Sequence, residues 1–235
     1  YNAANQYKKA EPLFRKAIEL IETHHNGRRL QIPLYNRALS LTWLVRFKEA
    51  KPELELSKQV SQEAGDVLQY CSATSLLGQL EYELGNYERA ETLLLESAGI
   101  LSRYPAMPFS VDIHSNLTAL YLDWVTLPRN SILAFKHAHH SLELARQVEQ
   151  YLVDGLHNVA VTESAFGNPQ YALECAEEAQ KASLQIQTPL TDYYALFAKA
   201  TALEALKQTD EAKSFFEKAA KLAREHKLGL FEQKS

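Results

Sequence analysis

Covalent staples, chain breakers and long apolar runs are all scarce in this 235-residue chain. The only two cysteines, Cys71 and Cys175, stand 104 residues apart in segments of helical pattern, which argues against a disulfide framework and fits a reducing compartment, the cytoplasm. Eight glycines and eight prolines leave no segment that reads as a disordered arm. No run approaches the roughly 18 apolar residues of a membrane span, and no signal peptide opens the chain. A formal charge of −4 offers nucleic acid no electrostatic footprint. The chain also lacks a phosphate-cradling glycine loop, a nucleophile elbow, a Cys-x-x-Cys and a His-Glu-x-x-His. Neither catalysis nor a cofactor is expected of it.

What the chain has is a period. Ala10, Ala50, Ala90, Ala134, Ala172 and Ala212 follow one another at steps of 40, 40, 44, 38 and 40 residues, a spacing that marks a stacked repeat array. Four residues after each alanine comes an apolar residue: Phe14, Leu54, Leu94, Ala138, Ala176 and Phe216. Seven after it comes a small one: Ala17, Ser57, Ser97, Ser141, Ala179 and Ala219. Offsets of four and seven return to one helix face, and small residues there let a neighbouring helix approach closely. A second small position lies twelve residues upstream, at Ala38, Gly78, Ala160 and Ala200. Between the two runs a turn, read as Leu84-Gly85-Asn86-Tyr87 in one unit and Phe166-Gly167-Asn168-Pro169 in another; Gly-Asn stops a helix and Pro169 suits the start of the next. Each unit is therefore two antiparallel helices.

Leu77-Gly78, Gly85-Asn86-Tyr87-Glu88-Arg89-Ala90, Leu94 and Ser97 together resemble the tetratricopeptide repeat, as does Tyr7-Lys8-Lys9-Ala10 with Phe14 and Ala17. The family repeat is usually about 34 residues. The longer unit and the missing terminal proline resemble the arrays of kinesin light chain and of MalT-like bacterial regulators. The expected fold is all-α: an α-solenoid of antiparallel helix pairs, a superhelix of about five full repeats after a leading half repeat. The repeats are read as 1–26 (partial), 27–65, 66–106, 107–150, 151–187 and 188–228 in a single array. Expected helices span 5–24, then the pairs 29–45 and 47–63, 66–84 and 87–103, 109–126 and 131–149, 152–166 and 169–186, and 190–206 and 209–226. The 44-residue step places an insertion at Trp124–Asn130. Leu230–Ser235 reads as the start of another helix, and the unpartnered first helix suggests a piece of a larger protein.

The resemblance implies a concave groove lined by the first helix of each pair, at its second, fifth, sixth, ninth, twelfth and thirteenth positions. The sixth position carries Asn36, Asn116 and Asn158. An amide offers both donor and acceptor, so these residues either grip an extended peptide or bond the neighbouring helix and set the stacking. Tyr35, Trp43, Gln79, Tyr82, Glu83, Asp123, His157, Phe197 and Glu204 complete the candidate partner-binding set. Across the groove positions stand Glu83, Asp112, Asp123, Asp154 and Glu204 but no lysine or arginine. A groove of that charge disfavours a carboxylate-terminated peptide and favours a neutral or basic one, although Asp112 and Asp154 also suit helix starts. The partner expected is a protein or peptide, with no direct nucleic acid or membrane contact.

His137 and His140 share a face near Glu143 and Glu149 in a helical segment. Surface residues on the outer side are expected there, and no metal site. Two functions compete: a binding module or scaffold that recruits its partner through the groove, and a regulatory sensor that switches an attached effector domain in a larger bacterial signalling or transcription-regulating protein.

Overall fold

A computed structural model describes residues 3–24, 29–104, 109–228 and 231. Every regular element among them is helical. The order is α1 (Ala3–Thr23), α2 (Gln31–Trp43), α3 (Phe47–Ala64), α4 (Val67–Glu83), α5 (Tyr87–Leu101), α6 (Phe109–Asp123), α7 (Arg129–Ala145), a 3-10 turn (Glu149–Tyr151), α8 (Leu152–Phe166), α9 (Pro169–Ile186), α10 (Pro189–Ala205) and α11 (Thr209–His226). These bounds follow the sequence expectations closely, and the helix-free stretch Trp124–Pro128 falls where the long step put an insertion. Of the expected C-terminal helix only Phe231 is described; Leu230 and residues 232–235 lie outside the described residues.

The helices form two compact units. The first holds α1–α5 together with Lys227, Leu228 and Phe231; the second holds α6–α11. Within each unit consecutive helices pack on one another, and the first helix of each pair also touches the first helix of the next: α2 on α4 in one unit, α6 on α8 and α8 on α10 in the other. That is the packing of a helical repeat.

The periodic alanines are the seams. Ala50, Ala90, Ala134, Ala172 and Ala212 are all buried, as are Ala38, Gly78, Ala160 and Ala200 across from them. Ala10 alone is half-buried. At Gly78 an added Cβ would stand 2.8 Å from Leu94 Cγ, so the small residue is what allows α4 and α5 to meet. The serines of the same pattern bind as well as pack. Ser57 Oγ donates to the Gln31 carbonyl at 2.8 Å, and one repeat later Ser97 Oγ donates to the Cys71 carbonyl at 3.2 Å. Arg37 joins three helices by pairing with Glu11 at 2.9 Å and with Glu53.

Local chemistry sets the ends. Asp66 accepts from the Gln69 amide at the start of α4, Asn168 from the Gln170 and Tyr171 amides at the start of α9, and Thr188 forms a capping box with Thr191 before α10. The α4–α5 turn closes with Gly85 N–H on the Tyr82 carbonyl and Asn86 N–H on the Glu81 carbonyl, with Gly85 at φ 78°. The same bonds recur where no glycine is present, with Val45 at φ 58° and Lys207 at φ 62°. The second Gly-Asn turn differs. Gly167 has φ −126°, and the Glu163 carboxylate holds the turn by accepting from the Asn168 amide at 2.8 Å.

Candidate functional site

Burial along the first helices, α2 and α4 in one unit and α6, α8 and α10 in the other, is periodic. The ninth positions Leu39, Gln79, Ala119, Val161 and Thr201 all keep some solvent contact. So do the second positions Ile32, Ser72, Asp112, Asp154 and Tyr194. These offsets share a helix face, so each unit presents a continuous strip of partly exposed side chains.

The sixth position turns partly inward. Asn158 is only 8% exposed, and its amide donates to Ser115 Oγ at 2.7 Å and to Ser141 Oγ at 3.0 Å. Both amide hydrogens are spent on neighbouring helices, so Asn158 serves stacking. Asn36 and Asn116 are half-buried and keep part of their surface on the strip. The asparagines therefore do not act as a uniform ladder.

In the first unit the strip holds Tyr35, Trp43, Gln79 and Glu83, each half-buried. Trp43 lies flat on Tyr7, with centroids 5.5 Å apart and planes 4° from parallel. Tyr82 is buried and packs against Tyr87, centroids 6.2 Å apart, so it belongs to the hairpin interior. Asp123 and Glu204, at the ends of α6 and α10 in the second unit, are exposed.

The second unit brings together a cluster the sequence reading had only in pieces. His157 donates from Nδ1 to the Tyr194 carbonyl at 3.1 Å; its ring lies 4.7 Å from that of Tyr194 and 6.0 Å from that of Phe197. Burial pulls the imidazole down to about 4, more than the carbonyl bond raises it, so the ring is neutral at pH 7. Its Nε2 is then an acceptor. Asp154, one turn earlier on α8, is pushed up to about 7 by burial and by the charge of Asp112. Asp112 keeps exposed surface, yet protein crowds it enough to push its carboxyl to about 7 as well. Burial and both carboxylates raise the Tyr151 phenol, and burial, Asp154 and Asp112 raise Tyr194 well above its ordinary value. No cation figures among the influences on either aspartate. The second unit thus presents two uncompensated carboxyls beside tyrosine, histidine and phenylalanine rings.

A separate imidazole group lies between α6 and α7. His114 Nδ1 is 2.9 Å from His137 Nδ1, and the His140 ring meets His114 edge-on at 4.5 Å. His137 is buried, which corrects the expectation of an outer-surface residue; its ring turns into the hairpin because it stacks on Tyr121 and His114 of α6. His139 and His140 are exposed as expected. Burial lowers His114 to about 3 and His137 to about 4. Among the described residues no group of three histidine, cysteine or acidic side chains is arranged to hold a metal ion. Cys71 and Cys175 are both buried and free, and burial pushes the Cys71 thiol up to about 11, which suppresses nucleophilic thiolate. Among the described residues no helix is long and apolar enough to cross a membrane.

Residues 193–226, which cover α11 and most of α10, match the family model described as tetratricopeptide repeat. No curated protein matches the sequence. Among solved structures, a Rap protein complexed with Competence and Sporulation Factor superposes with a TM-score of 0.74 at 16% identity, over 96% of this chain and 61% of that one. BtubC (BKLC) from P. vanneervenii superposes at 0.66 with 15% identity, over 95% of this chain and 92% of that one. The signal transduction ATPase PH0952 from Pyrococcus horikoshii, which has a tetratricopeptide repeat sensor, gives 0.61 and 15% over 99% of this chain and 38% of that one. At such identities the likeness is one of fold.

Proposed function

From a chain of tetratricopeptide-repeat fold, we propose a protein-interaction module that binds an extended peptide or partner segment along the strip of its first helices. The observation that carries this reading is the cluster around Asp154. Crowded carboxyls without a counter-ion are costly to ionise, and a lysine, arginine or terminal ammonium from a ligand would supply the missing charge while the Tyr194, His157 and Phe197 rings pack its aliphatic stem. The site therefore prefers a basic or neutral segment over one that ends in a carboxylate. The protein has no catalytic role in this reading. The complex of the Rap relative with Competence and Sporulation Factor supports a ligand-binding use of this fold.

The test is a set of peptides matched in length and differing only in charge, each with an amidated or free C-terminus, followed by NMR. A basic amidated peptide shifts the resonances of Asp154, His157, Tyr194 and Phe197. Perturbations confined to α7 and α9, or tighter binding of an acidic peptide with a free carboxylate, overturn the reading. A sensor role is the second reading, favoured by the similarly folded tetratricopeptide repeat sensor of PH0952. It requires the ligand to change hydrogen exchange across a whole unit rather than at the strip alone.

A further inference from the structure

The first unit contains a contact that its own helices do not explain. Lys227, Leu228 and Phe231 follow α11, yet cluster with α1–α5. Leu228 is only 1% exposed, and the Phe231 ring lies 6.0 Å from Trp43 at an interplanar angle of 55°. The Phe231 amide donates to the Leu228 carbonyl at 2.7 Å. Trp43 is already stacked on Tyr7, so the two rings offer a flat aromatic platform with the third ring tilted against it.

We propose that the Tyr7–Trp43 pair is a docking platform for a short segment presenting an aromatic residue, and that the chain's own Phe231 occupies it as an internal ligand. The inference rests on the reading of the first-helix strip as the recognition surface, since Trp43 stands at its thirteenth position. Tilted aromatic pairs suit such recognition, and aromatic residues dominate interface energetics. The segment is also held under strain: Lys227 takes φ 49°, a left-handed conformation unfavourable for a residue with a side chain. A strained tether makes the segment an occupant that a better ligand displaces. The platform is thus masked in the free protein, and a partner that engages it does so by exchange.

Tryptophan fluorescence in a Trp124→Phe background isolates Trp43. Phe231→Ala red-shifts its emission and raises acrylamide quenching while cooperative melting persists. Phe231→Leu, which keeps apolar volume but removes the ring, produces the same red shift. A synthetic peptide of residues 226–235 added to Phe231→Ala reverses the shift saturably, and the same peptide carrying alanine for Phe231 does not. Unchanged Trp43 emission in both variants, absence of reversal by the peptide, or loss of cooperative melting in both variants overturns the proposal. None of these readouts uses the basic peptide, so failure at the Asp154 cluster and failure at the platform are seen separately.

Discussion

Asn158 donates its side-chain amide to Ser141 Oγ at 3.0 Å, from α8 to α7. Ser141 lies within 3.3 Å of Ser115 Oγ, which takes the other amide hydrogen, so one asparagine holds three helices together. Asn158→Ala removes both of these interhelical hydrogen bonds at a site where Asn158 and Ser141 are buried, and costs about 1–3 kcal/mol. Urea unfolding measures it, and basic-peptide affinity stays near the wild-type value. Asn36→Ala and Asn116→Ala, at half-buried positions, cost less.

Val45 stands at φ 58° in a turn where the next repeat has Gly85 at φ 78°. A β-branched residue is poorly suited to that region. Val45→Gly relieves the backbone and raises stability by about 1 kcal/mol, read as a higher urea midpoint at constant slope. Gly85→Val is the converse and destabilises.

Two glycines respond oppositely to an added methyl. At Gly155 a Cβ would stand 2.8 Å from Leu142 Cα, which is backbone and cannot step aside, so Gly155→Ala costs about 1–3 kcal/mol. Gly99 in α5 meets nothing within 4 Å. Gly99→Ala stabilises by about 0.5–1 kcal/mol, because alanine loses less backbone freedom in a helix. Thermal or urea melts of both variants check the pair.

The histidines and aspartates of the second unit oppose each other with pH. His114 and His137 have native values near 3 and 4, below the ordinary 6.5. The unfolded chain therefore binds protons that the native one refuses, and stability falls as pH drops from 6.5 toward 4. Asp112 and Asp154 are raised from 3.8 to about 7. Their stabilising contribution is complete below 3.8 and is lost as pH rises through 7. The double variant Asp112→Asn/Asp154→Asn is accordingly more stable than wild type at pH 8, with the gap shrinking toward pH 4. Urea midpoints across that range record both slopes.

Much of the fold is legible in the sequence because seam packing permits only small residues. Ala50, Ala90, Ala134, Ala172 and Ala212 are buried for the reason their spacing implied. Turns were harder to read: Val45 and Lys207 occupy the left-handed position that glycine announces at Gly85, and nothing local in their side chains signals it. The candidate site was legible as a face but not as chemistry. Asn158 and Asn116 look alike in the repeat register, and only the serines across the interface separate them. Asp154 reads as an ordinary helix-start acid until Asp112, Tyr151 and Tyr194 are seen around it. His114 and His137 stand 23 residues apart and meet only through the α6–α7 hairpin. The Trp43–Phe231 contact joins positions that no helical period relates.

Calorimetric titration of a basic, amidated peptide at pH 6 and pH 8, into wild type and into Asp112→Asn/Asp154→Asn, addresses the recognition strip most directly. Because crowding raises both carboxyls to about 7, wild type binds more tightly at pH 8, and binding near neutral pH releases protons that appear as a buffer-dependent enthalpy. The double variant loses both the pH dependence and the preference for basic over acidic peptides. Equal affinity at the two pH values, with the same preference retained in the variant, would contradict the assignment of recognition to this strip.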